Sequence, residues 1–335
     1  MPNRILVTGG GGYIGSHCVL ELLQRGKDVI VFDNLSTGHK ETVDELSNYG
    51  NLDFIRGDLK NQTEIDSVFE RYNITSVLHF AALSQVGESI KYPEKYYENN
   101  VKGTENLLSS MVKHGVKRII FSSTASVYGE PEELPINEEH KKNPVNPYGN
   151  TKLAIEEMLD DYDKKYGIKS VRLRYFNVIG ADEQGRTGEW HEPETHLIPN
   201  LLKSAAESGR EFELYGNDYP TKDGTCTRDY ICVQDIVNAH LLALDYLLEK
   251  NVTNYFNLGT NSGFSVKEVL DLCSEVTGKQ IKVKLLPKRA GDAVCLVADN
   301  KKAQEVLGWK PLHSLRFGIE TAYRWNEILY KKIKI

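Results

Sequence analysis

The sequence predicts an α/β protein with a Rossmann-type doubly wound parallel sheet and a smaller C-terminal substrate-binding α/β lobe. Three observations lead to this prediction. Short, continuously apolar segments alternate with longer helical patterns, a glycine-rich turn follows the first apolar segment, and the chain becomes polar and glycine-rich after residue 177. Continuous apolarity is typical of strands buried on both faces, and strands that alternate with helices are typical of parallel sheets.

Six apolar segments are predicted to form the strands of this sheet. They span residues 4–9, 28–33, 52–58, 76–82, 118–124 and 170–177. Helical patterns fill the gaps, for example over residues 13–25 and over residues 84–114 with an interruption at Pro93. Residues 1–177 are therefore predicted to form one Rossmann domain, whose ligands should bind beyond the carboxyl ends of the strands.

The rest of the chain, residues 178–335, is predicted to form the second lobe. It opens with the long polar segment GADEQGRTGEWHEPETHLIP, which suits a loop that covers a ligand better than another sheet unit. Residues 228–257 resemble a strand and a helix that return to the first domain, so the boundary is not expected to be one clean cut.

The glycine-rich turn, ILVTGGGGYIGSH, is typical of a dinucleotide-binding loop. Its four glycines satisfy two templates, one with Gly9, Gly12 and Gly15 and one with Gly10, Gly12 and Gly15. In either, the missing side chains permit a tight turn and close approach of a pyrophosphate, and the following helix offers its amides and the positive end of its dipole. The second strand ends at Asp33, whose carboxylate can accept hydrogen bonds from a ribose and would repel a 2'-phosphate. These features predict NAD rather than NADP; a plain strand-to-helix turn is the alternative.

Composition excludes several classes of protein. With 41 Lys and Arg against 47 Asp and Glu, the net charge is -6, which predicts no nucleic-acid partner. No apolar run approaches the ~18 residues of a membrane span, and the first strand begins too close to Met1 for a signal peptide. We therefore expect a cytoplasmic protein without a membrane partner.

The segment HEPETH contains two histidines close together, as metal sites do. The five-residue spacing of His191 and His196, and the presence of Pro193 between them, do not match the helical His-Glu-x-x-His pattern of zinc enzymes. A substrate-binding loop without a metal is the prediction.

Tyr148 and Lys152 are the candidates for catalysis. Residues four apart share one face of a helix, and the hydroxyl-rich segment FSSTASVYG places Thr124 at the end of the fifth strand, at the same edge of the sheet. A tyrosine with a pKa of about 10 is a poor base at neutral pH, but a nearby ammonium group favours its phenolate. The sequence therefore predicts a tyrosine base assisted by lysine.

The same spacing occurs by chance elsewhere in the chain, so spacing alone carries little weight. Tyr246 with Lys250 and Tyr330 with Lys334 repeat it, but neither pair follows a hydroxyl-rich strand end. An ordinary solvated helix face is the alternative for Tyr148 and Lys152, whereas Tyr246 lies in an apolar segment that predicts packing and Tyr330 is five residues from the end of the chain.

On these residues the chain resembles the extended short-chain dehydrogenase/reductase superfamily, and within it the UDP-glucose 4-epimerase family. The similarity extends along almost the whole chain. The glycine loop and the tyrosine-lysine pair mark only the superfamily, whereas YGNDYPTKDGT, RDYI and YYENNVKGT are more specific to the epimerases.

The resemblance implies a set of ligand-binding residues. It assigns the NAD cofactor to Gly9, Gly12, Tyr13, Ile14, Gly15, Asp33, Asn34, Ser36, Thr37, Asp58, Leu59, Phe80, Ala81, Ala82, Ser84, Asn99, Thr124, Tyr148, Lys152 and Tyr175. It assigns the UDP-sugar to Thr124, Tyr148, Asn177, His196, Leu197, Tyr215, Arg228, Arg289, Asp292 and Leu296. It also implies a homodimer, since helices matching residues 96–114 and the helix after Tyr148 pair subunits in the family.

The implied activity is interconversion of UDP-galactose and UDP-glucose, in galactose metabolism, through a transient 4-keto sugar with tightly bound NAD. Thr124 and Ser84 replace a serine and a lysine of some members, and Leu296 replaces a bulky tyrosine, which leaves room for N-acetylated UDP-sugars. A 4,6-dehydratase is disfavoured, because Ala125 and Ser126 follow Thr124 where those enzymes carry Asp-Glu. An NAD-dependent nucleotide-sugar dehydrogenase and a non-catalytic dinucleotide sensor are the alternatives.

Overall fold

The computed structural model describes residues 2–289 and 293–333. Its strands are β1 (Arg4–Thr8), β2 (Val29–Asp33), β3 (Leu52–Arg56), β4 (Ile74–His79), β5 (Arg118–Thr124), β6 (Lys169–Tyr175), β7 (Asn177–Ile179), β8 (Phe212–Tyr215), β9 (Thr227–Arg228), β10 (Tyr230–Cys232), β11 (Asn254–Leu258), β12 (Phe264–Ser265), β13 (Val283–Leu286) and β14 (Cys295–Leu296). Its helices are α1 (Tyr13–Gln24), α2 (Lys40–Leu46), α3 (Gln62–Arg71), α4 (Val86–Lys91), α5 (Pro93–Tyr96), α6 (Gly103–Lys113), α7 (Pro147–Tyr166), α8 (Leu197–Ala206), α9 (Val233–Lys250), α10 (Val266–Thr277), α11 (Lys301–Leu307) and α12 (Leu315–Ile333).

Seven parallel strands form the main sheet, in the order β11-β6-β5-β4-β1-β2-β3. All six predicted strands are present, each within two or three residues of its predicted bounds. Strand β2 is buried at every position, as its continuous apolar sequence predicts. The Rossmann-type fold class is confirmed.

Two apolar layers cover the two faces of this sheet, because each flanking helix turns its apolar side inward. On one face, side chains of α1 and α9 such as Leu20 and Ile236 pack against the sheet. On the other face, α3, α6 and α7 contribute side chains such as Val68, Leu107 and Leu159. Helices on both faces of a parallel sheet are what the term doubly wound describes.

The helical region over residues 84–114 is interrupted, as predicted, before Pro93, where α4 ends and α5 begins. A second irregularity follows, since residues Tyr97–Lys102 form a π-helical turn. The Asn100 side chain there accepts a hydrogen bond from Leu83 N at 2.8 Å and donates one to Leu83 O at 3.0 Å. A π-helical turn adds one residue to the turn and is frequent at functional sites.

The second half of the chain supplies a smaller lobe beside the carboxyl ends of the main sheet. Three small pairings build it: β7 with β10, β8 with β13, and β9 with both β12 and β14. Within this half, residues Asn254–Leu258 form β11, which pairs in parallel with β6 at the edge of the main sheet. Helix α9 likewise packs on the main sheet.

Among the described residues, no helix combines the length and the apolarity that a membrane span requires.

Candidate active site

One cleft of about 830 Å³ lies between the carboxyl ends of the main sheet and the smaller lobe. Every site residue predicted from the sequence lines this cleft, with the exception of Asp292, which lies outside the described residues. The structure therefore brings together residues from positions as far apart as Gly9 and Leu296.

The glycine loop after β1 forms the floor of one end of the cleft. Gly9 has a φ of 73°, and a Cβ atom there would lie 2.5 Å from Ala81 N, so only glycine fits. A Cβ on Gly15 would lie 2.2 Å from the carbonyl oxygen of Gly9. Helix α1 follows with Gly12 at its N-cap and no capping side chain, which leaves its first amides available to an anion. This loop fits a dinucleotide pyrophosphate.

Asp33 stands at the end of β2 beside the glycine loop. Its Oδ2 accepts a hydrogen bond from Gly11 N at 2.9 Å, and its Oδ1 accepts one from Leu35 N at 2.8 Å. Burial raises the pKa of this carboxyl group, and the two backbone donors oppose the rise. A carboxylate has about four acceptor sites, so two remain for the hydroxyls of a ribose. The position fits NAD.

The middle of the cleft is lined by aromatic groups that other side chains hold in place. Nδ1 of His240 donates a hydrogen bond to Ile236 O, so Nε2 of the neutral ring is an acceptor. The Tyr175 hydroxyl therefore donates a hydrogen bond to His240 Nε2 at 2.5 Å. The Phe80 ring packs against His240 at a centroid distance of 4.7 Å. His240 is a residue that the sequence analysis missed; it lies in α9, about 65 positions from its partner.

Tyr148 and Lys152 occupy the first two turns of α7, as predicted. The helix begins after Asn146, whose side chain accepts a hydrogen bond from Gly149 N at 2.8 Å, and Pro147 occupies its first position. The Tyr148 hydroxyl is hydrogen-bonded to the side chain of Thr124 at the end of β5. Lys152 Nζ lies 5.9 Å from the Tyr148 ring centre.

The protein alone does not lower the pKa of the tyrosine. Burial raises the pKa of Tyr148 to about 12, and the hydrogen bond from Thr124 offsets only part of the rise. Burial also lowers the pKa of Lys152 to about 7, with Glu156 opposing. Removal from water disfavours both the phenolate form of Tyr148 and the ammonium form of Lys152. Ionisation of the tyrosine therefore requires further positive charge in the cleft.

A buried ion pair fixes α7 to the sheet beneath these two residues. Arg174 on β6 binds Glu156 through Nε at 2.9 Å and Nη2 at 2.6 Å, and both side chains are almost fully buried. Ser123 donates to the same carboxylate at 2.6 Å. No local pattern in the sequence predicts this contact.

Neither chance repeat of the tyrosine-lysine spacing has such a setting. The Tyr246 ring packs edge-on against Phe256 in the core. The Tyr330 hydroxyl is bonded to Glu207, and Lys334 lies outside the described residues.

The opposite wall of the cleft comes from the smaller lobe and carries cationic and aromatic side chains. Arg289 lies over the Tyr215 ring, 4.4 Å from its centre. Leu296 on β14 pairs with Arg228 on β9, so both face the same region. Helix α8 begins after His196 without a capping side chain, which presents another set of amides. Ser84, predicted with the cofactor residues, is exposed at the rim.

A cluster of two carboxylates and two imidazoles also lines this part of the molecule. His196 Nδ1 lies 2.8 Å from Glu189 Oε1 and 3.0 Å from Glu194 Oε1, and His191 Nδ1 lies 3.3 Å from Glu189 Oε1. Burial lowers the pKa of His196, but the two carboxylates outweigh burial and raise that pKa to about 10. The two histidines stand out in the sequence, whereas Glu189 was not predicted to lie beside them.

Trp190, between two members of this cluster, joins the smaller lobe to the segment after β2. Its ring stacks on His39 at a centroid distance of 3.5 Å and an interplanar angle of 4°. His39 Nε2 is 3.1 Å from the Trp190 carbonyl oxygen. Asn34, Ser36 and Thr37, which precede His39, line the cleft.

The fold and the cleft together define a dinucleotide-dependent enzyme of the extended short-chain dehydrogenase/reductase class. The sequence matches the family described as GDP-mannose 4,6 dehydratase over residues 6–322. It is 49% identical over 324 residues to a UDP-glucose 4-epimerase of Halalkalibacterium halodurans, covering 96% of this chain and 95% of the relative. The chain belongs to the UDP-glucose 4-epimerase family.

Solved structures agree with this placement. A UDP-glucose 4-epimerase from Stenotrophomonas maltophila, with bound NAD and formylated UDP-arabinopyranose, superposes with a TM-score of 0.94 at 36% identity, covering 98% of this chain and 99% of that one. The UDP-Glc/GlcNAc 4-epimerase of Campylobacter jejuni superposes with a TM-score of 0.85 at 41% identity, covering 98% and 100%.

Proposed function

We propose that this protein interconverts UDP-galactose and UDP-glucose by epimerisation at the fourth carbon of the sugar, with NAD as a resident cofactor. One observation carries the proposal. Tyr148, hydrogen-bonded to Thr124, faces the junction between a glycine loop fitted to a pyrophosphate and a lobe wall that carries Arg228 and Arg289. A sugar nucleotide held by that wall would present its sugar to the tyrosine.

In this reaction Tyr148 accepts the proton of the 4-hydroxyl group and later returns it. Bound NAD would supply the complementary hydride transfer at the same carbon. Thr124 orients the hydroxyl through its bond to Tyr148. The ammonium form of Lys152, 5.9 Å from the ring centre, and the positive charge of a bound nicotinamide ring would together favour the phenolate. Lys152 is held by a hydrogen bond from Nζ to Ser122 O at 2.7 Å, so its charge stays at one place.

The remaining cofactor residues hold the dinucleotide at a fixed depth. Gly9, Gly12 and Gly15, with Tyr13 and Ile14, would bind the pyrophosphate. Asp33 would bind the ribose, and the rest would enclose the adenine and nicotinamide rings: Asn34, Ser36, Thr37, Asp58, Leu59, Phe80, Ala81, Ala82, Ser84, Asn99 and Tyr175. Close enclosure keeps the cofactor bound through each cycle.

The smaller lobe would hold the uridine diphosphate and let the sugar turn over between the two proton transfers. Arg228, Arg289 and the amides at the start of α8 next to Leu197 match the charge of a diphosphate. Nδ1 of His196 is engaged by carboxylates, which leaves Nε2 for the substrate. Asn177, Tyr215 and Asp292 complete the proposed set, the last of them outside the described residues.

N-acetylated UDP-sugars form a second proposed substrate class. Leu296 is shorter than a tyrosine and lacks a hydroxyl, so the wall beside Arg228 leaves room for a substituent on the second carbon. A solved relative is named for action on both UDP-Glc and GlcNAc, which supports this extension.

A homodimer is also proposed. Ile90, Tyr92 and Tyr97 are large side chains that are 59%, 59% and 43% exposed, beside α7, which packs on α4. An apolar surface of this kind favours association. A mass near twice 37.9 kDa in light scattering would support the dimer, and a monomer would refute it. A cytoplasmic location and a part in galactose metabolism stay predictions from the sequence.

The alternatives differ in their products. A nucleotide-sugar dehydrogenase would release reduced cofactor, and a dinucleotide sensor would yield no product. The experiment is to incubate the purified protein, without added cofactor, with UDP-galactose and with UDP-N-acetylglucosamine, and to separate the products by chromatography. We expect UDP-glucose and UDP-N-acetylgalactosamine with no rise in absorbance at the wavelength of reduced NAD. Steady accumulation of reduced NAD, or no turnover even with NAD added, would refute the proposal.

A further inference from the structure

The cluster of Glu189, His191, Glu194 and His196 is not used by the proposed reaction beyond His196. One ligand atom from each of these four side chains lies within 4.8 Å of all the others. Two of them, Glu189 and Glu194, are carboxylates with side chains only 9% and 3% exposed. Buried carboxylates need a compensating positive charge, whether it comes from protons on the imidazoles or from a metal ion.

The spacing of the four atoms fits a tetrahedral ion site. Nitrogen and oxygen ligands bound at about 2.1 Å to a tetrahedral ion lie about 3.4 Å from one another. Glu189 Oε1 lies 2.8 Å from Nδ1 of His196 and 3.3 Å from Nδ1 of His191, and Glu194 Oε2 lies 3.7 Å from Nδ1 of His191. Both histidines direct the same ring atom, Nδ1, to the centre of the cluster.

The local backbone holds one carboxylate in the orientation that a ligand requires. Glu194 Oε1 accepts hydrogen bonds from Thr195 N and from His196 N, both at 2.8 Å. These bonds fix the carboxylate but leave Oε2 available. Supporting bonds of this kind orient metal ligands in proteins.

We propose that Glu189, His191, Glu194 and His196 form a binding site for one divalent transition-metal ion of the Zn²⁺ class. Two imidazoles and two carboxylates suit Zn²⁺ or Co²⁺ better than Mg²⁺ or Ca²⁺, which prefer oxygen ligands. The site does not depend on the proposed function. The ion ties together residues 189–196, which line the cleft and carry Trp190, and so it stiffens this part of the wall.

The histidine spacing explains why the sequence pattern argues against a metal. A helical zinc motif places its ligands on successive turns, whereas here a non-helical segment folds back so that ligands two, three and five positions apart converge. The expectation of a substrate loop without metal rested on the helical pattern alone.

The direct test is a Co²⁺ titration of protein first treated with a chelator, followed by visible absorption spectroscopy. Tetrahedral nitrogen and oxygen ligation gives intense visible bands, and thiolate ligation adds a charge-transfer band in the near ultraviolet. We expect one equivalent of Co²⁺ to produce the visible bands without the thiolate band, and Zn²⁺ to displace it. No visible bands, or bands with thiolate character, would overturn the proposal.

Variants then assign the ion to these residues. H191Q and E189Q, made separately, should each weaken Zn²⁺ binding at least about tenfold in equilibrium dialysis, while H140Q, which removes an imidazole outside the cluster, should not. Zn²⁺ should raise the melting temperature of the wild type and of H140Q only. Equal Zn²⁺ binding by all four proteins would refute the assignment. Circular dichroism checks that each variant is folded, and if H191Q and E189Q both fail to fold, the Co²⁺ spectrum of the wild type decides.

Discussion

Lys152 Nζ lies 5.9 Å from the centre of the Tyr148 ring, on the same face of α7. The hydrogen bond of the Lys152 ammonium group goes to the main-chain oxygen of Ser122 at 2.7 Å. The two groups therefore interact through space, and removing either one leaves the other in place.

Replacing Tyr148 with Phe should remove the proton acceptor but preserve the fold. The phenyl ring keeps its packing, and only the bond to Thr124 is lost. We expect kcat for UDP-galactose to fall by about two to four orders of magnitude, in line with general acid-base catalysis. The melting temperature should change little. A rate within tenfold of the wild type would contradict the role of Tyr148, and Y246F is the matched control.

Replacing Lys152 with Met should lower activity and also change how stability depends on pH. Burial lowers the pKa of Lys152 in the folded protein to about 7 from 10.5, so between these pH values the unfolded state binds more protons. This group therefore makes the wild type, without cofactor, more stable as the pH rises from 7 toward 10. The free energy of unfolding of K152M should lack this rise with pH, and K152M should be at least as stable as the wild type at pH 7. Urea denaturation at pH 7 and pH 9 measures the free energy of unfolding of both proteins. An equal change between the two pH values in K152M and in the wild type would contradict this prediction.

Replacing Asp33 with Asn should weaken NAD binding and reduce discrimination against NADP. The amide cannot accept the Gly11 hydrogen bond through its nitrogen, and it no longer repels a 2'-phosphate. Loss of a charged hydrogen bond suggests about tenfold to a hundredfold weaker NAD binding. D28N, which changes the residue immediately before β2, is the control. Fluorescence titration with both dinucleotides gives the ratio of Kd values, and an unchanged ratio would count against the role of Asp33.

Replacing Trp190 with Ala should speed the loss of NAD. The stacked ring joins the cleft wall to His39, next to the segment proposed to hold the adenosine. A stacked pair contributes about 1 kcal/mol beyond its buried area, which corresponds to roughly fivefold in rate. W190F keeps a ring that can stack on His39, so its rate of NAD release should lie close to that of the wild type. Stopped-flow release of NAD is the measurement, and equal rates in W190A and the wild type would exclude this role of the stack.

Replacing Leu296 with Tyr should narrow the cleft beside Arg228. We expect the ratio of kcat/KM for UDP-N-acetylglucosamine over that for UDP-galactose to fall at least about tenfold, because the larger ring occupies the space of the acetamido group. L296M keeps the volume and should keep the ratio. If L296Y retains the wild-type ratio, the acetamido group binds elsewhere.

Local patterns in the sequence predict the main sheet well. Strand β1 contains the apolar run 5–7 and is followed by Gly9, and β2 contains the apolar run 29–32 and ends at Asp33, so the positions of both strands depend on nearby residues. The glycine loop and the start of α7 are also local features, set by backbone conformation and by the capping residue Asn146. One side of the cleft could be predicted because Asp33, Thr124 and Tyr175 end strands of one parallel sheet.

Features that depend on distant residues could not be predicted. Arg174 and Glu156 are charged, and nothing local indicates that both are buried against each other. In the π-helical turn, Asn100 is hydrogen-bonded to Leu83, a residue that precedes α4. The change in the ionisation of Lys152 likewise follows from its removal from water by tertiary packing.

The return of β11 to the main sheet limits how this enzyme can be divided. A gene fragment ending at residue 177 would encode the glycine loop, Tyr148 and Lys152, yet its product would lack the strand that pairs with β6 along residues 171–175. The unpaired edge would offer a template for aggregation. Exchange of substrate lobes between relatives, by recombination or in the laboratory, should therefore succeed only when the crossover points leave β11 and α9 with their own sheet.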